Sequence, residues 1–172
     1  MRRQAQFDSA TCMTDRIAAL ASLVSRPCPE REEALVAFYE EAAGDALVLN
    51  KWFAIQAMSD LPDLLSKVKE LKSHPDFIIS NPNRARSLIS TFASNNAHFH
   101  AIDGEGYKFV SDFIIELDAL NPQVAARLAS CFSQWKRFDQ GRQLLMKTEL
   151  ERIKGTDGLS KDTFEVVSRC LK

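Results

Sequence analysis

Apolar residues recur mostly three and four positions apart along this chain, which is the spacing of one face of an α-helix. Strict alternation of apolar and polar residues, which is typical of a half-buried strand, is not sustained enough to predict a pair of strands. The chain also contains only 6 Gly. The pattern therefore predicts an all-α protein of about eight or nine helices joined by short links.

The first two predicted helices have clear boundaries. Thr14 is expected to cap the first helix, and the segment "RPCP" stops it. Pro29 then predicts the first position of a second helix, with acidic residues in its first turn and Gly44 past its end. The apolar stripe of the first helix is expected to consist of Ile17, Leu20, Ala21 and Val24.

The third and fourth predicted helices differ in how apolar they are. The segment "DALVLNKWFAIQAMSD" is apolar on most sides, which predicts a central helix with neighbours on two faces. The segment "LPDLLSKVKELKS" has a single apolar stripe, with Pro62 near its start, and "HPDFIIS" is a short connector after it. The expected buried residues are Leu49, Trp52, Phe53 and Gln56 in the third helix and Leu64, Leu65, Val68 and Leu71 in the fourth.

Two later helices begin with the same dipeptide, at Asn81-Pro82 and at Asn121-Pro122. Asparagine is a good N-cap that tolerates the extended backbone required before proline, and proline fits the first helical position. The first of these helices has a clean stripe of Ala85, Leu88, Ile89, Phe92 and Ala93. The second has a stripe of Ala125, Leu128, Ala129 and Phe132.

The rest of the chain continues the helical pattern. A turn-rich loop, "SNNAHFHAIDGEG", precedes the helix "YKFVSDFIIELDAL", and Asp139 and Ser160 begin the last two helices. Short links favour antiparallel neighbours, so the expected architecture is a stack of helix hairpins rather than a closed four-helix bundle. No fixed repeat period is regular enough to identify a tetratricopeptide or ankyrin array.

Arginines follow both Asn-Pro starts: Arg84 and Arg86 in one helix and Arg127 in the other. A cation in a first turn opposes the helix dipole by about 0.3–1 kcal/mol, and this penalty has largely faded by the second turn, where Arg86 and Arg127 lie. A helical wheel puts Arg84 and Arg86 on either side of the buried stripe and favours neither. Two interpretations remain open: ordinary surface charge, or arginines whose planar fork meets a carboxylate.

Composition excludes several classes of protein. The 22 Lys+Arg and 23 Asp+Glu of the 172 residues are spread along the chain, so nothing favours nucleic acid or an anionic membrane surface. No stretch approaches eighteen consecutive apolar residues, which predicts a soluble protein without a membrane span. The four cysteines, Cys12, Cys28, Cys131 and Cys170, lack metal or disulfide spacing and are expected to be reduced thiols in a reducing compartment.

Candidate chemistry is sparse. The three histidines, His74, His98 and His100, form no H-E-x-x-H motif, and no Cys/His set has zinc spacing. His98 and His100 with Asp103 could offer three ligands to a metal. The alternative is a loop in which Asp103-Gly104 makes a turn and Phe99 and Tyr107 anchor it to the core.

Several ordered motifs resemble the C-terminal end of aminopeptidase N, the zinc metallopeptidase family of bacterial, plant and apicomplexan type. They are "NKWF", "HPDF", "NPNRARSLI", "FHAIDGEGY", "LNPQVAARLA", "KRFDQGRQ" and "GLSKDTFEVVSRCL", and the likeness runs from about Gln6 to Lys172. Cys12 stands where the family usually has asparagine. The zinc-binding H-E-x-x-H and amine-binding G-x-M-E-N motifs of the family are absent from this chain.

This resemblance implies a fold, a role and a set of residues. It implies an ARM/HEAT-like α-superhelix, the last half of a domain that caps the active site and lines the channel for peptides. Arg86 and Arg127 match arginines that face this channel, and Gln123 matches a position near the pocket for the first side chain of the substrate. Zinc and the catalytic domain would then belong to the parent enzyme.

The resulting expectation is a lead-in at residues 1–13 and one helical-superhelix domain at 14–172, catalytically inert alone. Its partners would be the catalytic domain and peptide substrates or products, in the cytoplasm or in an organelle. A truncated superhelix would also expose an apolar face within residues 14–60 and self-associate. The rival hypothesis is a free-standing helical-repeat module that binds a protein partner.

Overall fold

The computed structural model describes Ala5 and residues 12–172, and the expected lead-in at residues 1–13 lies almost entirely outside this part of the chain. Every regular element in the described residues is helical, so the all-α prediction is confirmed. The chain divides into two compact units. The first contains the described residues up to Phe77 together with Arg86–Phe92, and the second contains Ile78–Ala85 together with Ala93–Lys172.

Four α-helices form most of the first unit. Their bounds are Met13–Val24 for α1, Pro29–Ala42 for α2, Ala46–Ala57 for α3 and Leu64–Lys72 for α4. Helices α1, α2 and α3 pack against one another, and α3 also packs against α4. Helix α3 therefore has neighbours on more than one side, as its nearly continuous apolar surface predicts.

The start and the buried face of α1 differ from the prediction. The N-cap is Cys12 rather than Thr14, and its side chain makes no capping hydrogen bond. Ala21 is exposed, and Ala19 and Leu23 are buried instead. Because α1 contacts α2 and α3 together, its buried stripe is wider than a single wheel position suggests.

The core of the first unit is built around α3. Leu49, Trp52, Phe53 and Gln56 are all buried, as predicted. The indole Nε1 of Trp52 donates to the carbonyl oxygen of Leu35 on α2 at 2.9 Å. The amide Nε2 of Gln56 donates to the carbonyl oxygen of Trp52 at 3.1 Å, so the buried polar side chain has an acceptor.

The end of α1 is held by two side chains. Arg31 is 6% exposed, and its Nε donates to the carbonyl oxygen of Val24 at 3.1 Å. Ser59 Oγ donates to the same carbonyl oxygen at 3.0 Å. The last carbonyls of a helix lack partners inside the helix, so these donors supply hydrogen bonds that α1 cannot make itself.

The helix predicted after Asn81 is broken into three pieces. Helix α5 spans Pro82–Ala85, a π-helix spans Arg86–Ser90, and α6 spans Thr91–Ser94. The π-helix packs on α3 and α4 within the first unit. The predicted stripe is nevertheless buried throughout, at Ala85, Leu88, Ile89, Phe92 and Ala93.

The second unit contains most of the remaining helices. Their bounds are Asn96–Phe99 for α7, Glu105–Asp118 for α8, Pro122–Ala129 for α9, Gln140–Lys154 for α10 and Lys161–Leu171 for α11, with short 3₁₀ turns at Ser130–Phe132 and Trp135–Arg137. Helix α9 packs against α8 and α11, and α10 packs against the same two helices. Each long helix of this unit thus has two long neighbours.

A buried carboxylate fixes the start of α11. Asp118, at the end of α8, is 4% exposed. Its Oδ2 accepts the backbone N–H of Ser160 at 2.7 Å, and its Oδ1 accepts the hydroxyls of Ser160 and Thr163. Ser160 in turn caps α11, since its Oγ accepts the Thr163 N–H at 3.2 Å. Asp118 therefore connects two helices through charge-assisted hydrogen bonds.

Candidate functional site

Two of the three candidate residues lie on the same face of α9. Gln123 and Arg127 are four positions apart and both are exposed, while Ala125, Leu128 and Ala129 are buried on the opposite side. Residues four apart on a helix are neighbours on its surface. The side chains of Gln123 and Arg127 can therefore meet the same bound molecule.

Capping and the helix dipole explain the position of Arg127. The side chain of Asn121 accepts the Val124 N–H at 3.2 Å, which confirms Asn121 as the N-cap. Helix α9 has only 8 residues, so Arg127 lies in its last turn. A cation there is favoured by the dipole rather than opposed by it. Arg127 forms no ion pair with any residue in the described part of the chain.

Arg86 lies in the first unit, at the first position of the π-helix. Its side chain is exposed, and its backbone oxygen accepts the hydroxyl of Thr91 at 3.4 Å. π-Helical turns are rare and occur frequently at functional sites. No sequence pattern indicates this turn, because the apolar stripe of the helix remains regular.

The structure separates the two arginines that the helical wheel left equivalent. Asn81 caps the helix as predicted, because its Oδ1 accepts the N–H groups of Asn83 at 3.0 Å and Arg84 at 3.2 Å. Arg84 is only 4% exposed, whereas Arg86 is exposed. Of the pair, only Arg86 is therefore exposed at the surface.

The loop between α7 and α8 contains the turn and the aromatic anchors that the sequence predicts. Gly104 has φ = 72°, and Asp103 Oδ1 accepts the Glu105 N–H at 3.1 Å, so the Asp103-Gly104 turn is confirmed. Phe99 and Tyr107 are fully buried and anchor the loop to the core, also as predicted. Among the described residues no group of three His, Cys, Asp or Glu side chains could hold a metal ion.

A polar and aromatic cluster stabilises this loop. His100 stacks on Phe138 with ring centroids 4.0 Å apart, and its Nδ1 is 2.8 Å from the Tyr107 hydroxyl. Arg142 Nε donates to the His100 carbonyl oxygen at 2.7 Å, and its Nη1 lies 2.7 Å from Asp139 Oδ2. Arg142 belongs to the motif "KRFDQGRQ", for which sequence reasoning assigned no role. These contacts make it a loop anchor.

Burial and charge alter the proton affinities in this cluster. Burial, followed by the nearby Arg142 guanidinium, lowers the pKa of His100. Burial raises the pKa of Tyr107 to about 12, so its hydroxyl stays protonated, and it shares a hydrogen bond with His100 Nδ1 whose direction depends on the histidine tautomer. The cluster thus keeps His100 uncharged, and its ring is held by the Tyr107 hydroxyl and by stacking on Phe138, as expected for a structural role.

The cysteines behave as small buried or surface thiols. Cys12, Cys28, Cys131 and Cys170 are all free, as predicted. Burial raises the pKa of the Cys131 thiol, and also that of Cys170, so neither is a reactive thiolate at neutral pH. No helix in the described part of the chain is both long and apolar enough to cross a bilayer.

Stacked helices joined by short links define a helical-repeat domain. The family model described as "Domain of unknown function (DUF3458_C) ARM repeats" matches residues 1–172, and the chain belongs to this family. This match also confirms the ARM-like prediction for the fold.

The relatives of the chain are aminopeptidases. It is 41% identical over 170 residues to an aminopeptidase N of Haemophilus influenzae, 43% over 166 residues to that of Caulobacter vibrioides and 42% over 167 residues to that of Escherichia coli. These matches cover 96–98% of the chain but only 19–20% of each relative. The chain thus spans about a fifth of their length and corresponds to their C-terminal part.

A solved structure agrees with this assignment. The Legionella pneumophila aminopeptidase A, crystallised in complex with aspartic acid, matches with a TM-score of 0.94 and 36% sequence identity. The match covers 99% of the chain and 20% of that protein. The likeness to aminopeptidase N inferred from the motifs is therefore confirmed.

Proposed function

We propose that the chain is the accessory C-terminal part of a zinc aminopeptidase, catalytically inert alone, which caps the active site and lines the channel for peptides. The supporting observation is an almost complete match to one fifth of several aminopeptidases. Zinc and the catalytic residues would lie in the remaining four fifths. The partners of the chain are then that catalytic domain and the peptides it cleaves. The domain comprises residues 14–172 and works in a reducing compartment, either the cytoplasm or an organelle.

The exposed polar residues suit a channel that handles peptides. Arg86 and Arg127 each present a guanidinium group, whose planar fork can bind a peptide carboxylate through two hydrogen bonds. Gln123 lies one helical turn from Arg127 and offers both a donor and an acceptor to a peptide backbone. None of the three is a proton donor or nucleophile at neutral pH, so their role is to bind and orient.

The first experiment tests whether the chain is inert. The purified chain should hold no stoichiometric zinc and should cleave no aminoacyl-anilide substrate. Metal analysis and a chromogenic assay with added zinc, each repeated with a chelator, measure both properties. Turnover that disappears with the chelator would overturn the proposal.

The second experiment tests the arginines in the full-length enzyme. Arg127→Ala should lower kcat/KM about tenfold, or about 1.4 kcal/mol, for a tetrapeptide with a free carboxylate. It should leave the corresponding peptide amide unchanged, because the amide cannot pair with the guanidinium. Arg86→Ala should likewise lower kcat/KM for the tetrapeptide more than for the peptide amide. Arg127→Lys keeps the charge but loses the fork, so it should restore only part of the activity.

An exposed arginine outside the candidate set provides the control. Arg169→Ala, on α11, should leave both substrates unchanged. Equal losses of kcat/KM on the peptide and the amide, or no loss on either, would indicate that Arg86 and Arg127 are ordinary surface charges.

The rival hypothesis of a free-standing interaction module has a simple test. Sequencing the gene upstream of the codon for residue 1 should reveal H-E-x-x-H and G-x-M-E-N. A stop codon directly upstream, with neither motif in frame, would favour the interaction module instead.

A further inference from the structure

An open groove follows the exposed side of α10 in the second unit. It consists of two adjoining hollows of about 320 and 610 Å³ that share Lys147. We refer to it as the α10 groove. The lining residues that matter here are Trp135, Leu144, Lys147, Lys154, Phe164 and Leu171. From Gln140 to Gly155 the groove extends for about 22 Å at 1.5 Å per residue, enough for about four turns of a partner helix.

The α10 groove presents apolar side chains to the surface. Leu144 is 67% exposed and Phe164 is 44% exposed, although most large apolar residues of this unit are buried. Trp135 and Leu171 also line the two hollows. A concave surface with exposed apolar residues and a polar rim is the geometry by which grooves accept an amphipathic helix.

The charge of the α10 groove is mainly positive. Lys154 Nζ lies 5.5 Å from the centroid of the Phe164 ring and makes no ion pair with a described residue. Lys147 is paired only loosely with Glu151, with 3.7 Å between Nζ and Oε1. Glu151 is the one carboxylate that lines the groove among the described residues. A partner with carboxylates spaced like the lysines would complement this pattern.

Helix α2 of the first unit carries the complementary pattern. Glu33, Val36 and Glu40 are exposed and lie at i, i+3 and i+7, which places them on one face. Val36 is 55% exposed between the two acids. Neither Glu33 nor Glu40 forms an ion pair within the described part of the chain, whereas Glu32 and Glu41 pair with arginines.

The spacing of the charges is the same on both surfaces. Glu33 and Glu40 are seven residues apart, as are Lys147 and Lys154, so each pair spans about two helical turns or roughly 10.5 Å. We propose that the α10 groove binds the Glu33–Val36–Glu40 face of α2 from a second copy of the chain. Glu33 and Glu40 then pair with Lys147 and Lys154, and Val36 packs against the exposed apolar residues.

Two different surfaces form this contact, so each copy can donate one and accept the other. Such head-to-tail contacts produce a series of oligomers unless the geometry closes a ring. Exposed ion pairs are individually weak and are screened by salt. The association should therefore appear only at high protein concentration and should weaken as the salt concentration rises.

Charge exchange between two variants provides the test. In sedimentation velocity at low salt, the wild-type chain should form concentration-dependent oligomers. Lys147→Glu with Lys154→Glu should weaken this association at least fivefold, and so should Glu33→Lys with Glu40→Lys. An equimolar mixture of the two double variants should restore it, because each groove then meets a helix of opposite charge.

The matched control reverses two exposed lysines outside the groove. Lys51→Glu with Lys161→Glu makes the same change in net charge and should leave the association unchanged. Circular dichroism checks that each variant is folded. If reversal disturbs folding, Lys147→Gln with Lys154→Gln must weaken the salt-dependent association instead.

Three results would overturn the proposal: a strict monomer at every concentration at low salt, a salt-dependent association that both double reversals leave unchanged, or a mixture of the folded variants that does not restore the salt-dependent association. Oligomers that survive reversal would instead indicate apolar contact. This contact does not depend on aminopeptidase function, so the two proposals can fail separately.

Discussion

Gly106 has no room for a side chain, which makes it a sensitive position in the second unit. A Cβ atom at this position would lie 2.7 Å from the carbonyl oxygen of Phe99 and 3.0 Å from that of His98. Gly106→Ala should therefore lower the free energy of unfolding by about 1–3 kcal/mol, as expected for overpacking against backbone. Urea unfolding measures the loss.

Gly155→Ala is the matched control for this substitution. Its added Cβ would lie 3.4 Å from the nearest backbone oxygen, which is an ordinary contact. An equal loss at both positions would mean that close approach is not what requires glycine at position 106.

His100 should make stability depend on pH. Burial and Arg142 lower its pKa in the folded chain below the ordinary value of about 6.5. The unfolded chain therefore takes up a proton first as the pH falls below about 6.5. The free energy of unfolding should decrease over that range and stay constant above it.

The measurement compares wild type with His100→Gln by urea unfolding from pH 8 to pH 5. The difference between their free energies of unfolding at pH 8 gives the cost of the lost packing and of the lost Tyr107 contact. The wild type should lose additional stability toward pH 5 relative to the variant. Parallel pH profiles for the two proteins would contradict the lowered pKa.

At the residue scale, capping was predictable from the sequence and the fate of individual arginines was not. Asn81 and Asn121 cap their helices because a side-chain oxygen needs only local geometry to reach the first-turn N–H groups. Burial of Arg84 and exposure of Arg86 depend on which helices pack on each side. A helical wheel of one isolated helix does not show which neighbouring helices pack against it.

At the scale of elements, Asp118 is the residue on which the start of α11 depends. Asp118→Ala removes the acceptor of three hydrogen bonds, two from part-buried donors of Ser160 and one from the buried Thr163 hydroxyl. The free energy of unfolding should fall by about 3 kcal/mol or more, and amide exchange in Lys161–Leu171 should accelerate most.

The control is Asp139→Ala on α10, which removes an exposed cap that accepts the Arg142 N–H at 3.1 Å. This change should cost about 1 kcal/mol. Comparable losses at Asp118 and Asp139 would argue against a special role for burial of the carboxylate.

Element boundaries were predictable where a strong local signal exists, as at Pro29, Asp139 and Ser160. The π-helix was not predictable, because the stripe from Ala85 to Ala93 has the same apolar positions in either geometry. The start of α1 was also missed. Thr14 is the better cap by type, but the helix already begins at Met13, and nothing in the structure explains the earlier start.

At the scale of the whole molecule, the first unit retains the apolar surface expected within residues 14–60. Ala21, Ala54, Ile55 and Met58 line an open hollow of about 370 Å³. We expect self-association through this surface at high concentration. Met58→Lys should reduce this self-association, as measured by light scattering. Added salt should not reduce it, because apolar contacts are not screened.

Salt therefore separates this apolar contact from the charged contact at the α10 groove. An exposed apolar residue elsewhere, Ile102, offers the matched control: Ile102→Lys should leave the scattering unchanged. A protein that remains strictly monomeric would contradict the prediction.

The fold class could be predicted from periodicity alone, whereas the candidate site could not. No physical rule distinguishes Arg127 from other exposed arginines in a sequence, and its role was proposed only through resemblance to aminopeptidases. The structure adds that Arg127 and Gln123 share one face of α9. Under the proposed function, the catalytic groups with which they would act lie outside this chain.

The π-helix has a consequence for variation in chain length. Its turns close over five residues rather than four, so the segment Arg86–Ser90 accommodates one residue more than an α-helix of the same rise. Removing one residue there would restore an α-helix while the turns on either side keep their orientation. Homologues that lack one of these residues are therefore expected to carry a regular α-helix at this point, which their sequences between the two Asn-Pro motifs would show.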